Sequence, residues 1–408
     1  MAKYVYIIGT RDTKDAELRY LQTKLSERGV LSRVVDVSTG HNCTGVIQAT
    51  DVVAWDVASC HPRGPDAVFG NVRGPAIAGM SDALLHYLSS RPDVAGVLAL
   101  GGSGGSALVA PALQAMPIGI PKILVSTVAS GNVAPYVGGS DIAMLYSVVD
   151  MQGLNRVSRR VLENAANAMA GMVRSATHEP EDQRPAIGLT MFGVTTPCVT
   201  HLTDTLHHQF DCLVFHATGT GGRSMEQLID RGVIRGVIDV TTTEFCDLIA
   251  NGIFPCGEDR LGAVERTKVP YVGSCGGLDM VNFAARDTVP QNYRNRVLVE
   301  HNPHITLMRT SAEECRQMGQ MIAERLNHCE GPVAFFIPEG GFSLLDAAGE
   351  VFFDPEADEA FVAALSGMLR ESARRRLIRL PYALNDSAFA QAMADEFQTM
   401  FKETEFNA

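Results

Sequence analysis

Short apolar runs that break into glycine-rich loops recur along this chain, and no other feature restricts its fold as much. Four such loops stand out: Gly101-Gly102-Ser103-Gly104-Gly105-Ser106, Tyr136-Val137-Gly138-Gly139-Ser140-Asp141, Thr218-Gly219-Thr220-Gly221-Gly222-Arg223 and Gly273-Ser274-Cys275-Gly276-Gly277. A short, continuously apolar run suits a strand covered on both faces, as in a parallel sheet. A glycine loop after it lets the backbone approach a ligand and aims successive N–H groups into one concavity. Where the loop opens a helix, those donors and the helix dipole favour an anion, typically phosphate. One such loop is accounted for by a tight strand-to-helix turn. Four in one chain point to a nucleotide or another phosphorylated ligand.

The runs repeat in strand–loop–helix order. Tyr4 to Ile8 predicts a first strand, Gly9-Thr10-Arg11-Asp12 its loop, and Leu18, Leu21 and Leu25 one face of a helix that Asp12 caps and Gly29 ends. Val34 to Val37, Val94 to Leu100 and Ile123 to Val125 predict further strands, and Leu154 to Ser175 a long amphipathic helix. The polar, proline-bracketed stretch from His178 to Pro185 reads as a linker. After it the pattern restarts with strands at Ala186 to Met191, Cys212 to Phe215 and Val233 to Val240. At 408 residues one ordinary core is exceeded. The expected architecture is therefore α/β, with two doubly wound Rossmann-like domains whose parallel sheets face a central cleft. The first covers 1–180, the second 186–385, and residues 386–408 form a C-terminal helix packing back on the body, with Phe389, Met393, Phe397 and Met400 at helical spacing.

Composition closes off several classes. A net charge of −12 argues against nucleic-acid coating, which demands basic faces. Nine scattered cysteines without a C-x-x-C pair fit reduced thiols in a cytoplasmic protein. The N-terminal residues read as a strand rather than a signal peptide, and no apolar run approaches membrane-spanning length.

Gly9-Thr10-Arg11-Asp12-Thr13-Lys14 stands where a dinucleotide fingerprint would, with a single glycine in place of three. Thr10 and Thr13 offer hydroxyls to phosphate, Lys14 a point charge, and Asp12 a ligand for a metal or ribose. Gly101 to Ser106 lacks the Gly-Lys-Ser/Thr ending of a P-loop but remains an anion site made of backbone N–H groups. Thr127, Gly131, Gly138 and Asp141 extend the candidate nucleotide site. In the second domain Thr218, Gly219, Gly221, Gly222 and Arg223, with Gly276 and Gly277, are candidate cleft residues. Glu244 and Asp279, at or just after strand ends, are the candidate catalytic acids. Cys275 could be a nucleophile on a turn. No histidine spacing among His201, His207, His208, His216, His301 and His304 defines a metal site, and no metal ligand set is assigned.

Longer words also recur in one known family. Gly9-Thr10-Arg11-Asp12-Thr13-Lys14-Asp15-Ala16-Glu17-Leu18, the stretch from Ile120 to Gly131, Thr190 to Val199, Asp239 to Glu244, Leu278 to Phe283 and Leu307 to Thr310 are among them. The chain resembles the family of the ATP-binding domain found in the tomato mosaic virus resistance protein and in microbial proteins. The resemblance spans nearly the whole chain and implies two Rossmann-like subdomains, ATP binding and a homodimer. The second, barrel-like half of the tomato protein is not matched, so its antiviral role is not carried over.

ATP, with magnesium as a possible companion, is thus the expected ligand, and three readings follow. The protein could act on a small metabolite in the cleft, serve as a non-catalytic ATP-dependent switch, or be a two-domain nucleotide-sugar transferase. Nucleic-acid and membrane partners are not expected.

Overall fold

The structure, a computed structural model, describes residues 2–40, 47–70, 72–174 and 182–406. Two compact units divide the chain, Met1–Pro180 and Glu181–Ala408. The linker stretch at 178–181 lies outside the described residues.

The first unit contains a five-stranded sheet built from β1 (Tyr4–Gly9), β2 (Ser32–Asp36), β3 (Val94–Gly101), β4 (Lys122–Ser126) and β5 (Ala143–Tyr146). Every pair is parallel and the order is β2-β1-β3-β4-β5. Strand residues alternate between faces, so one run serves two cores. Tyr6, Ile8, Val97 and Ala99 pack with the helices Arg73–Ser89 and Ser103–Ala115. Val5, Ile7, Leu98 and Leu100 pack with the helices Arg11–Glu27 and Arg156–Arg174. This double cover is why the strands read as unbroken apolar runs.

The second unit repeats the plan with six parallel strands. They are β6 (Ala186–Met191), β7 (Asp211–His216), β8 (Ile234–Thr241), β9 (Tyr271–Gly276), and, after an insertion of β10 (Met280–Phe283), β11 (Leu298–Asn302) and β12 (Ile305–Arg309), β13 (Val333–Pro338) and β14 (Arg375–Leu380). The order is β14-β13-β9-β8-β6-β7. Counted within its own sheet this is 2-1-3-4-5-6, the same winding as the first unit. The inserted strands form a separate antiparallel sheet, β10-β12-β11, which departs from the expected strand–loop–helix repeat.

The C-terminal helix spans Ser387–Phe406 and covers one face of the second sheet. Phe389, Met393, Phe397 and Met400 join Ile187, Leu189, Ile238 and Val272 in one core. Gly236 in β8 makes room for it, since a Cβ there would stand 2.7 Å from Phe397 Cζ. Phe397 and Phe401 both meet Phe210 edge-on, at centroid distances of 5.5 and 4.9 Å. Among the described residues no helix is long and apolar enough to cross a membrane.

Because Phe397 is fully buried at this joint, Phe397→Ala should cost about 3–5 kcal/mol, the range for emptying an aromatic core site. Urea unfolding followed by circular dichroism measures it. An unchanged midpoint would mean that the helix is not holding the sheet.

Candidate functional site

In the first unit β1 lies between β2 and β3, so the chain leaves β1 in one direction and β3 in the other. Connections that diverge in this way open a crevice at the carboxyl ends of the two strands, where ligands of open α/β sheets bind. The structure has a cavity of about 570 Å3 there. It is lined by Thr10, Asp12, Thr13 and Lys14 after β1, by Gly102, Ser103, Gly104 and Gly105 after β3, and by Arg73 and Ile77 from the facing helix. A larger hollow of about 700 Å3 lies at the opposite strand ends, among Lys3, Arg91, Pro117 and Pro121, and gathers no cluster of reactive groups.

The glycines of this region differ in what demands them. A Cβ on Gly9 would press on Leu18 Cδ2 at 2.9 Å, and one on Gly101 would meet Ser106 N at 2.7 Å, so both serve internal packing. Gly102, Gly104 and Gly105 are different. None has a positive φ, and among the described residues a Cβ on any of them would come no closer than 3.7 Å to another side chain or loop atom. Neither backbone conformation nor packing requires glycine at these three cavity-lining positions.

They also open a helix. Ser103–Ala115 begins at Gly102 without a side-chain cap, and the first intrahelical bond is Ser106 N–H to the Gly102 carbonyl at 2.8 Å. The donors on Ser103, Gly104 and Gly105 are the orphan N–H groups of the helix start. Ser106, grouped with them on sequence, faces away: it is buried, and its hydroxyl shares a 2.6 Å hydrogen bond with Ser126. Arg73 supplies the nearby cation, its Nη2 3.7 Å from where a Cβ on Gly104 would stand. Its side chain is exposed and forms no ion pair among the described residues.

The β1 loop is committed in another way. Thr10, not Asp12, occupies the cap position of Arg11–Glu27, without a side-chain cap bond. Its N–H groups are taken by a buried carboxylate and its neighbour: Arg11 N donates to Asp36 Oδ1 at 3.1 Å and Asp12 N to Ser38 Oγ at 3.1 Å. Asp36, at the end of β2, already fills the anion position of this helix start. Thr10 and Thr13 share a hydroxyl–hydroxyl bond of 2.8 Å at the surface, and Asp12 is exposed. Lys14 Nζ donates to the Met151 carbonyl at 2.6 Å, which ties it to the loop after β5.

The remaining first-unit candidates separate. Thr127 follows β4 and stands beside the loop Gly102–Gly105, its Oγ1 3.7 Å from the Cβ position of Gly102. Gly131 closes the short turn Thr127–Ser130 outside the cavity lining. Gly138 and Asp141 are at the wrong end of the sheet, because their loop enters β5 instead of leaving a strand. Asp141 pairs there with the buried Lys122, at the start of β4, at 2.5 Å.

In the second unit the equivalent crevice, between β6 and β8, is filled by the chain itself. Thr195 and Thr241 share a 2.7 Å hydroxyl bond, Thr242 donates to the Ser274 carbonyl and Thr243 to that of Met280, all buried. Glu244 is fully buried and accepts from Gly219 N at 2.6 Å and from Arg260 Nε at 2.9 Å. Arg260 also holds both oxygens of Asp239, at 2.9 and 2.8 Å, and Glu226 at 3.3 Å. Burial pushes the Glu226 carboxyl up despite Arg260. Glu244 is thus a structural ion-pair partner and not an accessible acid.

The second-unit glycines answer to packing. Gly219 has φ +73°, and a Cβ on Gly221 would lie 1.9 Å from the His216 carbonyl and one on Gly222 2.7 Å from the Glu244 carboxylate. Gly276 ends β9 against the Val240 carbonyl, and Gly277 has φ +73°. Thr218 is half-buried, and Arg223 is exposed and lines a hollow of about 150 Å3 that is small for a nucleotide. Cys275 is buried within β9, and burial pushes its thiol well up, so it is no nucleophile. Among the described residues no group of three or more histidine, cysteine and carboxylate side chains is arranged to hold a metal.

Asp279 belongs to a second buried cluster around Arg309. Arg309 Nη2 reaches Asp346 at 3.2 Å and Asp358 at 2.6 Å, and Asp279 accepts from Ser343 Oγ at 2.7 Å. Three carboxyls against one guanidinium cannot all ionise cheaply out of water. Burial, then the charges of Asp279 and Asp358, raise Asp346 to about 9, and burial raises Asp279 to about 6. A carboxyl whose folded pKa exceeds its unfolded value withdraws stability as pH rises between the two. Asp346 therefore lowers stability progressively from about pH 4 towards the folded value of about 9. Urea midpoints at pH 7 and pH 9 should fall for the wild type and stay level for Asp346→Asn. An equal slope in both would place the retained proton elsewhere.

Comparison with known proteins gives the family. The model described as the Uncharacterised protein family (UPF0261) N-terminal domain matches residues 3–178, and the corresponding C-terminal domain matches residues 184–401. A UPF0261 protein of Mesorhizobium japonicum is 53% identical over 393 residues, covering 96% of this chain and 98% of that one. One from Clostridium tetani is 40% identical over 98% of this chain and its own full length. The ToMV resistance protein Tm-1 of Solanum lycopersicum is 43% identical over 96% of this chain, which spans 55% of that protein. Among solved structures, the glycosyltransferase SnogD of Streptomyces nogalater aligns at 11% identity with a TM-score of 0.17, a likeness that carries no argument. With both units matched by its domain models and with relatives matched over their full length, the chain belongs to the UPF0261 family.

Proposed function

We propose that the first unit is an ATP-binding module, with the polyphosphate lying in the cradle Gly102–Gly105. One observation carries this reading: three glycines line the crevice although neither φ nor internal packing calls for glycine there. A close approach by something outside the chain is the physical reason that remains. The uncapped helix start supplies N–H donors and a favourable dipole, and Arg73 a forked guanidinium suited to phosphate. Asp12, with Thr10 and Thr13, fits a magnesium ion that takes one carboxylate and otherwise phosphate oxygens and water.

Binding without turnover is favoured over action on a small metabolite or a sugar transfer. Glu244 and Asp279, the acids on which chemistry would rest, are buried and held by Arg260 and Ser343. On this reading the nucleotide acts as a switch, and the homodimer that the family resemblance implies is a state for it to bias. Sedimentation with and without MgATP tests that association.

Gly104 lies in a helical first turn, so Gly104→Ala should stabilise the fold by about 0.5–1 kcal/mol through helix propensity. The same methyl should weaken MgATP binding at least roughly tenfold, because it occupies the approach path of the phosphates. Arg73→Ala should weaken binding by a similar factor, the worth of a charge-assisted hydrogen bond. Calorimetric titration with MgATP and thermal melts of the same samples read both effects. ATP binding at wild-type strength in both variants would sink the cradle assignment.

A further inference from the structure

A half-exposed aromatic stack is connected to this cavity through Gly70, which lines it and follows Phe69 in the chain. Trp55, the single tryptophan of the chain, lies parallel to Phe69 with ring centroids 5.7 Å apart and an interplanar angle of 4°. Phe69 packs against the first-unit core and so backs the indole. Trp55 itself is 56% exposed.

The topology puts the stack at the ligand-binding end of the sheet. Val52 pairs in parallel with Val35 of β2, so the chain emerges from that bridge at the carboxyl ends of the strands and turns at once into Ala54–Ala58, which carries Trp55. On the other side, Phe69 is followed by Gly70, which lines the cavity, and then by the helix that brings Arg73 and Ile77 to it. Gly70 shares with the cradle glycines the absence of a positive φ, and no atom of the described residues lies within 4 Å of its Cβ position. The cavity thus has a polar end of N–H groups and Arg73, and a flat aromatic surface with a rigid backing is joined to it in the chain through Gly70. A ligand with one anionic end and one flat aromatic end satisfies both.

We infer that Trp55, braced by Phe69, is the stacking platform for the base of the bound nucleotide. The inference rests on the ATP-binding reading of the same cavity and adds that the site selects a nucleotide over free polyphosphate. Stacking of a base on an aromatic ring is worth about 1–3 kcal/mol and tolerates any base, since every base has a π face. The site should therefore distinguish nucleotides from inorganic polyphosphate far better than one nucleotide from another.

The test compares MgATP with magnesium tripolyphosphate on the full chain, by calorimetry and by tryptophan emission, which reports Trp55 alone. ATP should change the emission while tripolyphosphate binds and leaves it nearly unaltered. Trp55→Leu should weaken ATP roughly five- to hundredfold and tripolyphosphate less than about twofold, while Trp55→Phe recovers most of the ATP affinity. Equal losses for both ligands in Trp55→Leu, or no loss for ATP, overturn the platform and leave the cradle standing. Failure of the wild type to bind either ligand overturns the cradle and the platform together.

Discussion

The parallel pairing of β1 with both β2 and β3 is the constraint on which the first unit depends. It forces consecutive crossovers to opposite sides, and that divergence leaves a crevice which the sheet cannot fill with its own strands. Everything proposed for this unit is arranged around that gap. The loop after β1 is closed by Asp36 at the end of β2 and Ser38 just after it. The loop after β3 stays open, with three glycines and an uncapped helix start. One side of the crevice is a finished wall and the other an unfilled socket.

The second unit shows what the same winding looks like when the socket is filled. Its threonines spend their hydroxyls on one another and on strand carbonyls, and two arginines each gather several carboxylates in the interior. Such clusters are poor sources of stability, because the cost of desolvating several charges offsets most of their attraction. Arg260 links β8, Glu226 in Thr220–Asp230 and Glu244 in Glu244–Ala250, while Arg309 links β12 to the chain around Asp346 and Asp358. Their effect is to fix how the loops at the carboxyl ends lie, an internal role that removes those acids from chemistry.

Glycine carries three separate meanings in this protein. At Gly219 and Gly277 it permits a positive φ, and at Gly221 and Gly276 it permits another chain segment to pass within a distance no Cβ allows. At Gly102, Gly104 and Gly105 it does neither. The letters are identical in all these loops, and only the surroundings tell the cases apart.

Helix amphipathy and the repeated two-part grammar were legible because they depend on local periodicity: unbroken apolar runs for strands covered twice, and Phe389, Met393, Phe397 and Met400 on one helical face. The fold class and the loops at Gly9 and Gly101 followed from that. Asp36 had a visible signal as a carboxylate ending an apolar run, whereas Arg73 and Trp55 had none, since nothing in their own neighbourhoods places them beside a loop some thirty or more residues away. The sequence by itself determined the α/β class, several of the parallel strands and which loops have the backbone freedom to meet a ligand. Only the tertiary structure decided which loop does: whether a loop leaves a strand or enters one, and whether a neighbour fills the space before it, are set by long-range pairing and close packing that local sequence does not encode.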